Sequence, residues 1–356
     1  MRSWQLVGQS QIELQDLPVP EPGEDQVLIR VMACSICSRT DLVYYKYCGL
    51  KPHCQPGGHF GHEVSGIVER LGPGVKGPEP GTRVFLRSPG APGGLSEYCL
   101  ADPVNIARLP DHMSFLEGAP AQQVPIAVHA TRTLRLGDNA LIIGAGSAGL
   151  QILQVARLRG AARIAVADLL DSRLRLARDL GADVTINARR EDVLAAVGDA
   201  FPTRPDVCYD AVGTRTVVQQ CIDAVRHEGI VCIFGTHHVE ERVTLDLLQW
   251  EYKALTVHMA NEGSTYTRQE AMRMSERLLA AGHCATRPYI THVFPMEELP
   301  QAIALLEISP LLYPEGDPAA ARLPDREALK VVIQVAPGAE VNARGETFVP
   351  RGPLVG

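Results

Sequence analysis

Two short clusters near the N-terminus carry side chains that can do chemistry. One is Cys34-Ser-Ile-Cys37-Ser38-Arg39-Thr40-Asp41; the other is Gly61-His62-Glu63. Thiolate, imidazole and carboxylate are the three side-chain types that bind Zn²⁺, and a catalytic zinc takes three such ligands and keeps one position open. A zinc of that kind is a Lewis acid that lowers the pKa of a bound hydroxyl. An alcohol held there as alkoxide gives up a hydride more easily. Taken alone, the same residues also read as structure. Cys34 and Cys37 then sit at a strand end in the core, His62 caps a turn, and Glu63 pairs with Arg70 or Arg83.

A second stretch, from Asn139 to Asp168, names the acceptor for such a hydride. Ala140 to Ile143 is an apolar run too short for a helix and right for a buried strand. Gly144, Gly146 and Gly149 follow in G-x-G-x-x-G spacing, and an amphipathic helix runs on from Ser147 and Ala148. Gly144 turns the chain out of the strand, Gly146 lets backbone approach a pyrophosphate, and Gly149 lets helix and strand pack closely. The helix N-terminus offers unpaired N–H groups to that anion. A second strand, Arg163 to Ala167, ends on Asp168, placed to accept hydrogen bonds from an adenosine ribose. Its charge repels a 2′-phosphate, which favours NAD(H) over NADP(H), although Arg173 or Arg175 reaches the same pocket.

The elements around these clusters fall into two kinds. Up to about residue 120 the chain is β-rich and punctuated by Gly and Pro, with strands at Val27–Met32, Val64–Val68, Arg83–Leu86 and Leu95–Leu100. Gly118–Leu134 has a helical pattern. Beyond it, helices at Ser172–Leu180 and Thr216–Val225 alternate with strands at Val184–Ile186, Asp206–Ala211 and Gly229–Gly235. Alternation of this sort means a parallel sheet with helices on both faces. Val212, Gly213 and Gly235 end strands on the side where a ligand lies in doubly wound sheets, and they are candidate coenzyme contacts. Helices at 266–282 and Leu299–Leu306 follow, then a Pro-rich stretch, a strand at Leu329–Val335, and a polar tail, Ala336–Gly356, expected to be loose or an arm on a partner subunit.

Bulk properties exclude other classes. The 356 residues suggest two domains, and 46% hydrophobic with 21% charged residues is ordinary for a globular protein. A net charge of −7 points to no nucleic-acid or anionic-membrane partner. No apolar run approaches a membrane span, and the N-terminus lacks the form of a signal peptide. Nine cysteines then read as free thiols or metal ligands in a reducing cytoplasm.

The order of these parts resembles the zinc-dependent medium-chain dehydrogenase/reductase family, with its alcohol, sorbitol and threonine dehydrogenases. Val31-Met-Ala-Cys-Ser-Ile-Cys-Ser-Arg-Thr-Asp41, the Gly61-His-Glu-Val-Ser-Gly block, Gly93-Gly-Leu-Ser-Glu-Tyr-Cys99, the glycine-rich unit, Leu180-Gly-Ala-Asp183 and Tyr209-Asp-Ala-Val-Gly213 carry the resemblance. It implies an α/β fold: a GroES-like β-rich catalytic domain (1–122 and 259–356) and a doubly wound Rossmann coenzyme domain (123–258). It implies Cys37, His62 and Glu63 as ligands of one catalytic zinc, and a hydroxyl at Thr40 that passes on the alcohol proton. Asp41 then holds the cysteine–histidine region, and Gly144, Gly146, Ser147, Ala148, Gly149, Asp168, Arg173, Val212 and Gly235 form the NAD(H) site. The implied activity is oxidation of a secondary alcohol (a polyol, sugar, cyclitol or amino derivative) or the reverse, in a homodimer or homotetramer joined near Cys221–Gly235. The alternatives are a zinc-free enone or quinone reductase of the same fold, and an NAD-binding protein with impaired catalysis.

The departures from the family pattern are specific. Two residues, Ser38 and Arg39, stand where one is usual, so the loop bulges or Ser38 takes the hydroxyl role. Val43 stands where many relatives have histidine, leaving Tyr44, Tyr45 or His53 for the far end of the relay. Gln122 aligns with a glutamate of polyol dehydrogenases; a neutral amide is a poor zinc ligand, so the third position falls to Glu63 or another cysteine, with Cys54 and His59 as nearby candidates for metal contact. The four-cysteine structural-zinc lobe is missing, so no structural zinc is expected. The 307–327 insertion lines the substrate cleft or a dimer interface, and the loop near His258–Glu262 joins Tyr44 and Tyr45 at the pocket.

Overall fold

The fold is seen in a computed structural model that describes residues 1–57, 60–235, 239, 242, 244–324, 328–350 and 352. The chain divides into two compact units, Met1–Gln123 with Arg268–Pro353, and Val124–Thr267. The return to the first unit begins at Arg268 rather than 259, because Thr256–Met259 is still a strand of the second unit's sheet.

The first unit opens with the hairpin β1 (Arg2–Gly8) and β2 (Gln11–Asp16). Next come β3 (Val27–Ile36), β4 (Glu63–Leu71), β5 (Arg83–Arg87), β6 (Tyr98–Ala101) and β7 (Ile106–Arg108). β3 runs on past Met32 to Ile36, and nine of its ten residues are buried. A strand covered on both faces reads as an unbroken apolar run, which is why the chain stays in the sheet through Cys34. The helical pattern over Gly118–Leu134 is broken up instead. A capping box of Ser114 and Glu117 starts a short helix, Phe115–Gly118. A 3₁₀ turn, Ala119–Gln122, and a helix, Gln123–Ala130, follow. Pro120 and Pro125 lack the N–H that an unbroken helix would need.

The second unit holds six parallel strands, β8 (Asn139–Ile143), β9 (Arg163–Asp168), β10 (Val184–Asn187), β11 (Val207–Asp210), β12 (Ile230–Ile233) and β13 (Thr256–Met259). Their order is β10-β9-β8-β11-β12-β13. The order reverses between β8 and β11, the switch point where doubly wound sheets bind ligands. β12 is an interior strand and β13 the edge, so the edge lies outside the Cys221–Gly235 region expected for it. Leu141, Ala165, Cys208, Cys221, Ile222 and Val231 pack one side of this sheet. All nine cysteines are free thiols.

The chain then returns as β14 (Ile290–Pro295) and β15 (Lys330–Gln334), which extend the first unit's sheet to the order β14-β15-β3-β4-β5-β7, with β6 also on β3. The tail is not loose over its described residues. Phe115 and Leu116 donate their N–H groups to the Ala339 carbonyl at 2.9 and 3.2 Å, and Asn342 Nδ2 donates to the His112 carbonyl at 3.0 Å. Phe348 is buried under the Arg287 guanidinium. These bonds satisfy backbone groups at the start of the Phe115–Gly118 helix, an obligation that a reading of polarity along the tail does not reveal. No helix among the described residues is long and apolar enough to cross a membrane.

The glycine-rich turn depends on one close approach. A Cβ on Gly149 would lie 1.8 Å from the Gly144 carbonyl oxygen. Overpacking of this kind costs about 1–3 kcal/mol. Gly149→Ala is expected to lower stability in urea by that amount; an unchanged midpoint would show that the turn has room to relax.

Candidate metal and coenzyme sites

Cys37, in the loop just past β3, His62, in the loop before β4, and Glu63, at the head of β4, converge. One ligand atom from each lies within 4.8 Å of the other two, and this is the one such group of three among the described residues. Asp41, fully buried in the helix Thr40–Lys46, organises it. Its Oδ2 accepts from the Cys37 N–H at 2.8 Å, and its Oδ1 from the Gly61 N–H at 3.3 Å. His62 Nδ1 stands 2.9 Å from the same Oδ1. A carboxylate accepts there, so the proton sits on Nδ1, and Nε2, the nitrogen on the Cys37 side, is the one left for a metal. The Thr40 N–H donates to Cys37 Sγ at 3.4 Å. Gly61 has φ +78°, and a Cβ on it would lie 2.8 Å from Cys34 Sγ. Cys34 is thus packing beneath the site, one of the two readings the sequence left open for it.

Burial works against charge on both ligands, but they help one another. Burial pushes the Cys37 thiol up, but the hydrogen bond and the charge of His62 together outweigh it and leave the thiol lowered. His62 is raised well above the imidazole range because the Asp41 carboxylate and Cys37 outweigh burial. Among these side chains the donor set, one thiolate, one imidazole and one carboxylate, suits Zn²⁺.

Glu63 has partners that local reading of the sequence missed. Arg70 is paired with Glu21, and Arg83 donates to the carbonyls of Pro110 and Met113. The partner of Glu63 is Lys330, at the head of β15, whose Nζ lies 2.9 and 2.8 Å from the two carboxylate oxygens. Gln123 Nε2 donates to Oε1 at 3.0 Å, and Ser35 Oγ donates to Oε2. Each oxygen therefore accepts two hydrogen bonds, the full capacity of a carboxylate. Glu63 reaches a metal only by releasing one of them. The glutamine that touches Glu63 is Gln123 and not Gln122; Gln123 Oε1 is buried with no hydrogen-bond partner. A lone lysine heading an apolar strand, in a chain with few lysines, was the available signal for Lys330.

The surrounding candidates separate. Val43 is fully buried and carries no proton. Tyr44, its phenol raised by burial, feels the charges of Cys54, His62, Asp41 and Cys37, and its ring lies 6.1 Å from that of His53. Tyr45 responds instead to burial and Glu307. Cys54 is buried outside the cluster, and His59 lies outside the described residues. The 307–327 insertion, of which 325–327 are not described, packs on the helix that follows the metal loop. The Arg39 guanidinium donates to the Leu311 carbonyl, Tyr47 Oη donates to the Leu312 carbonyl at 2.9 Å, and Lys46 Nζ lies 3.7 Å over the Tyr313 ring.

In the second unit the helix Ser147–Leu158 starts at the end of β8 with Gly146 as its N-cap. A Cβ on Gly146 would meet nothing within 4 Å, so the space before Ser147 and Ala148 is open. Those first N–H groups have no partner within the helix, and together with the open space they fit a pyrophosphate. Asp168 ends β9; its Oδ2 accepts from the Ala145 N–H at 2.7 Å and its Oδ1 from the Leu170 N–H at 3.0 Å. Each oxygen keeps room for a second bond. Arg173 Nη1 lies 3.9 Å from Asp168 Oδ2. After β11, the N–H groups of Val212 and Gly213 donate to Asp210 Oδ1, each at 2.9 Å. A Cβ on Gly235 would lie 2.0 Å from Gly213 N, so the loops after β11 and β12 press together. His258 Nε2 is 3.1 Å from Thr133 Oγ1, within the same unit.

A thiolate–imidazole–carboxylate cluster in a β-rich unit, with a glycine-rich doubly wound unit beside it in the chain, defines a nucleotide-dependent dehydrogenase class. Residues 23–129 match the alcohol dehydrogenase GroES-like domain, and residues 148–277 match the zinc-binding dehydrogenase family. The chain belongs to the zinc-dependent medium-chain dehydrogenase family. Human sorbitol dehydrogenase is 28% identical over 333 residues, spanning 83% of this chain and 89% of the relative. The alcohol dehydrogenase from Thermus sp. ATN1 has a TM-score of 0.79 at 25% identity, covering 94% of this chain and 100% of that one. Galactitol-1-phosphate dehydrogenase from Escherichia coli has a TM-score of 0.76 at 21% identity, with coverage of 94% and 100%.

Lys330→Met leaves the buried Glu63 carboxylate without its cation and is expected to cost about 3–5 kcal/mol in chemical denaturation. Adding Glu63→Gln should recover most of that loss. A single variant as stable as wild type would show that Lys330 and Glu63 are not paired.

Proposed function

We propose that this chain is a zinc-dependent oxidoreductase that moves a hydride between a secondary alcohol and NAD, with polyols, sugars, cyclitols or their amino derivatives as the substrate class. The observation that carries the reading is the convergence of Cys37, His62 and Glu63 around an oriented histidine. Cys37 and His62 would hold the metal, with Glu63 as third ligand once it releases a hydrogen bond. Zinc bound there would polarise the alcohol or ketone oxygen.

The chain's own residues do the remaining work. Asp41 keeps the proton on His62 Nδ1 and fixes the Cys37 backbone, so both ligand atoms are aimed before a metal arrives. The Thr40 hydroxyl accepts the substrate proton, with Ser38 as the alternative; the Thr40 N–H at Cys37 Sγ supports Thr40. Beyond it Tyr44 and His53 take the proton outward, since Val43 cannot. Asp168 accepts from the adenosine ribose and favours NAD(H). One zinc per chain, no structural zinc, a cytoplasmic setting and a homodimer or homotetramer complete the reading. The exposed ends of edge strand β13 support a sheet-edge contact between copies.

Elemental analysis of the purified protein should find about one zinc per chain. Cys37→Ala should lose the metal and alcohol oxidation while NADH binding, followed by fluorescence, persists. Protein without zinc that still reduces enones would favour the zinc-free reductase; NADH binding with zinc but no turnover of any polyol would favour the impaired protein.

A further inference from the structure

β10 lies beside β9, with Asn187 opposite Asp168. The Ala188 N–H donates to the Asp168 carbonyl at 3.0 Å. Residues after β10 therefore leave the sheet at the same end as Asp168. Arg190, three residues on, grips Asp171, the first residue of the helix after β9. Nη1 donates to Oδ2 at 2.8 Å and Nη2 to Oδ1 at 2.7 Å. Asn187 Nδ2 adds a bond to Oδ1 at 2.7 Å. This is the two-pronged geometry that a guanidinium uses for a carboxylate or a phosphate. The Asp171 carboxyl is held down to about 2, first by Arg190 and then by Asn187.

A dinucleotide with a 2′-phosphate on its adenosine ribose needs a cation near Asp168. Arg173 and Arg175 lie on the helix after β9, and Arg190 follows β10 at the same end of the sheet. Arg173 lies 3.9 Å from Asp168 itself. Asp171 occupies both terminal nitrogens of Arg190. We propose that Asp171 is a specificity-determining residue for the coenzyme: by committing Arg190, it withholds one guanidinium from a 2′-phosphate and acts with Asp168 to favour the unphosphorylated dinucleotide. The pair is exposed, and an ion pair in water holds weakly. Without Asp171 the guanidinium is released to the next doubly charged oxyanion that binds beside it. The inference rests on Asp168 being the ribose ligand.

The test is a binding titration that needs neither metal nor turnover. Wild type, Asp171→Ala, Asp171→Asn and the double variant Asp171→Ala/Arg190→Ala are titrated calorimetrically with 5′-AMP and with 2′,5′-ADP. Asp171→Asn keeps a polar group at the helix start, in case alanine disturbs folding. Both single variants should gain affinity for 2′,5′-ADP relative to 5′-AMP by about two- to fivefold, and the double variant should lose that gain. A ratio unchanged in both single variants, or a gain that survives without Arg190, overturns the inference and leaves the coenzyme reading standing. Wild type that binds neither nucleotide overturns the coenzyme reading, and the inference falls with it.

Discussion

The buried pair of Glu63 and Lys330 is the interaction on which the first unit depends. The two residues are 267 positions apart, and both are almost wholly out of water. Lys330 heads the strand by which the returning chain joins the sheet on β3; Glu63 heads β4 on the other side of β3. Ser35, on β3 between them, and Gln123, at the end of the unit's first segment, complete the set. A charge taken into a protein interior is tolerated only with a partner and full hydrogen bonding. The pair therefore forbids any arrangement in which β15 is absent or shifted by a residue. Glu63 also belongs to the Cys37–His62–Glu63 group, so closure of the sheet and placement of that carboxylate are one event.

Three aspartates solve the same problem in different places. Asp41 gathers the Cys37 and Gly61 N–H groups and the His62 ring, Asp168 gathers Ala145 and Leu170, and Asp210 gathers Val212 and Gly213. Each fixes a loop by taking backbone donors that would otherwise be left unpaired. The first aims metal ligands. The second ties the glycine-rich turn to the end of β9, and the third shapes the turn after β11.

The coenzyme unit was legible because its signals are local. Strand, glycine spacing, helix and terminal Asp168 lie within thirty or so residues, and each follows from short-range backbone physics. Strand ends shifted by a few residues, as at β3, where burial on both faces removes the alternation that marks an end. The grouping of Cys37, His62 and Glu63 was expected through a resemblance, since Cys37 and His62 alone read as well for packing. What stayed hidden was long-range: Lys330 and Gln123 as partners of Glu63, the tail docked through Ala339, and the short edge strand β13. None of these leaves a periodic trace, because each is decided by what tertiary structure brings opposite an unpaired polar group.

The grip of Arg39, Lys46 and Tyr47 on residues 311–313 joins two departures from the family pattern that lie far apart in the chain. The extra residue in the loop after Cys37 and the extra segment near the C-terminus are joined by direct contacts. Swapping the metal loop of this protein into a relative, or trimming the segment as a dispensable appendage, would separate a lock from its key. Substrate-site engineering on this scaffold has to treat the two as a single exchangeable cassette.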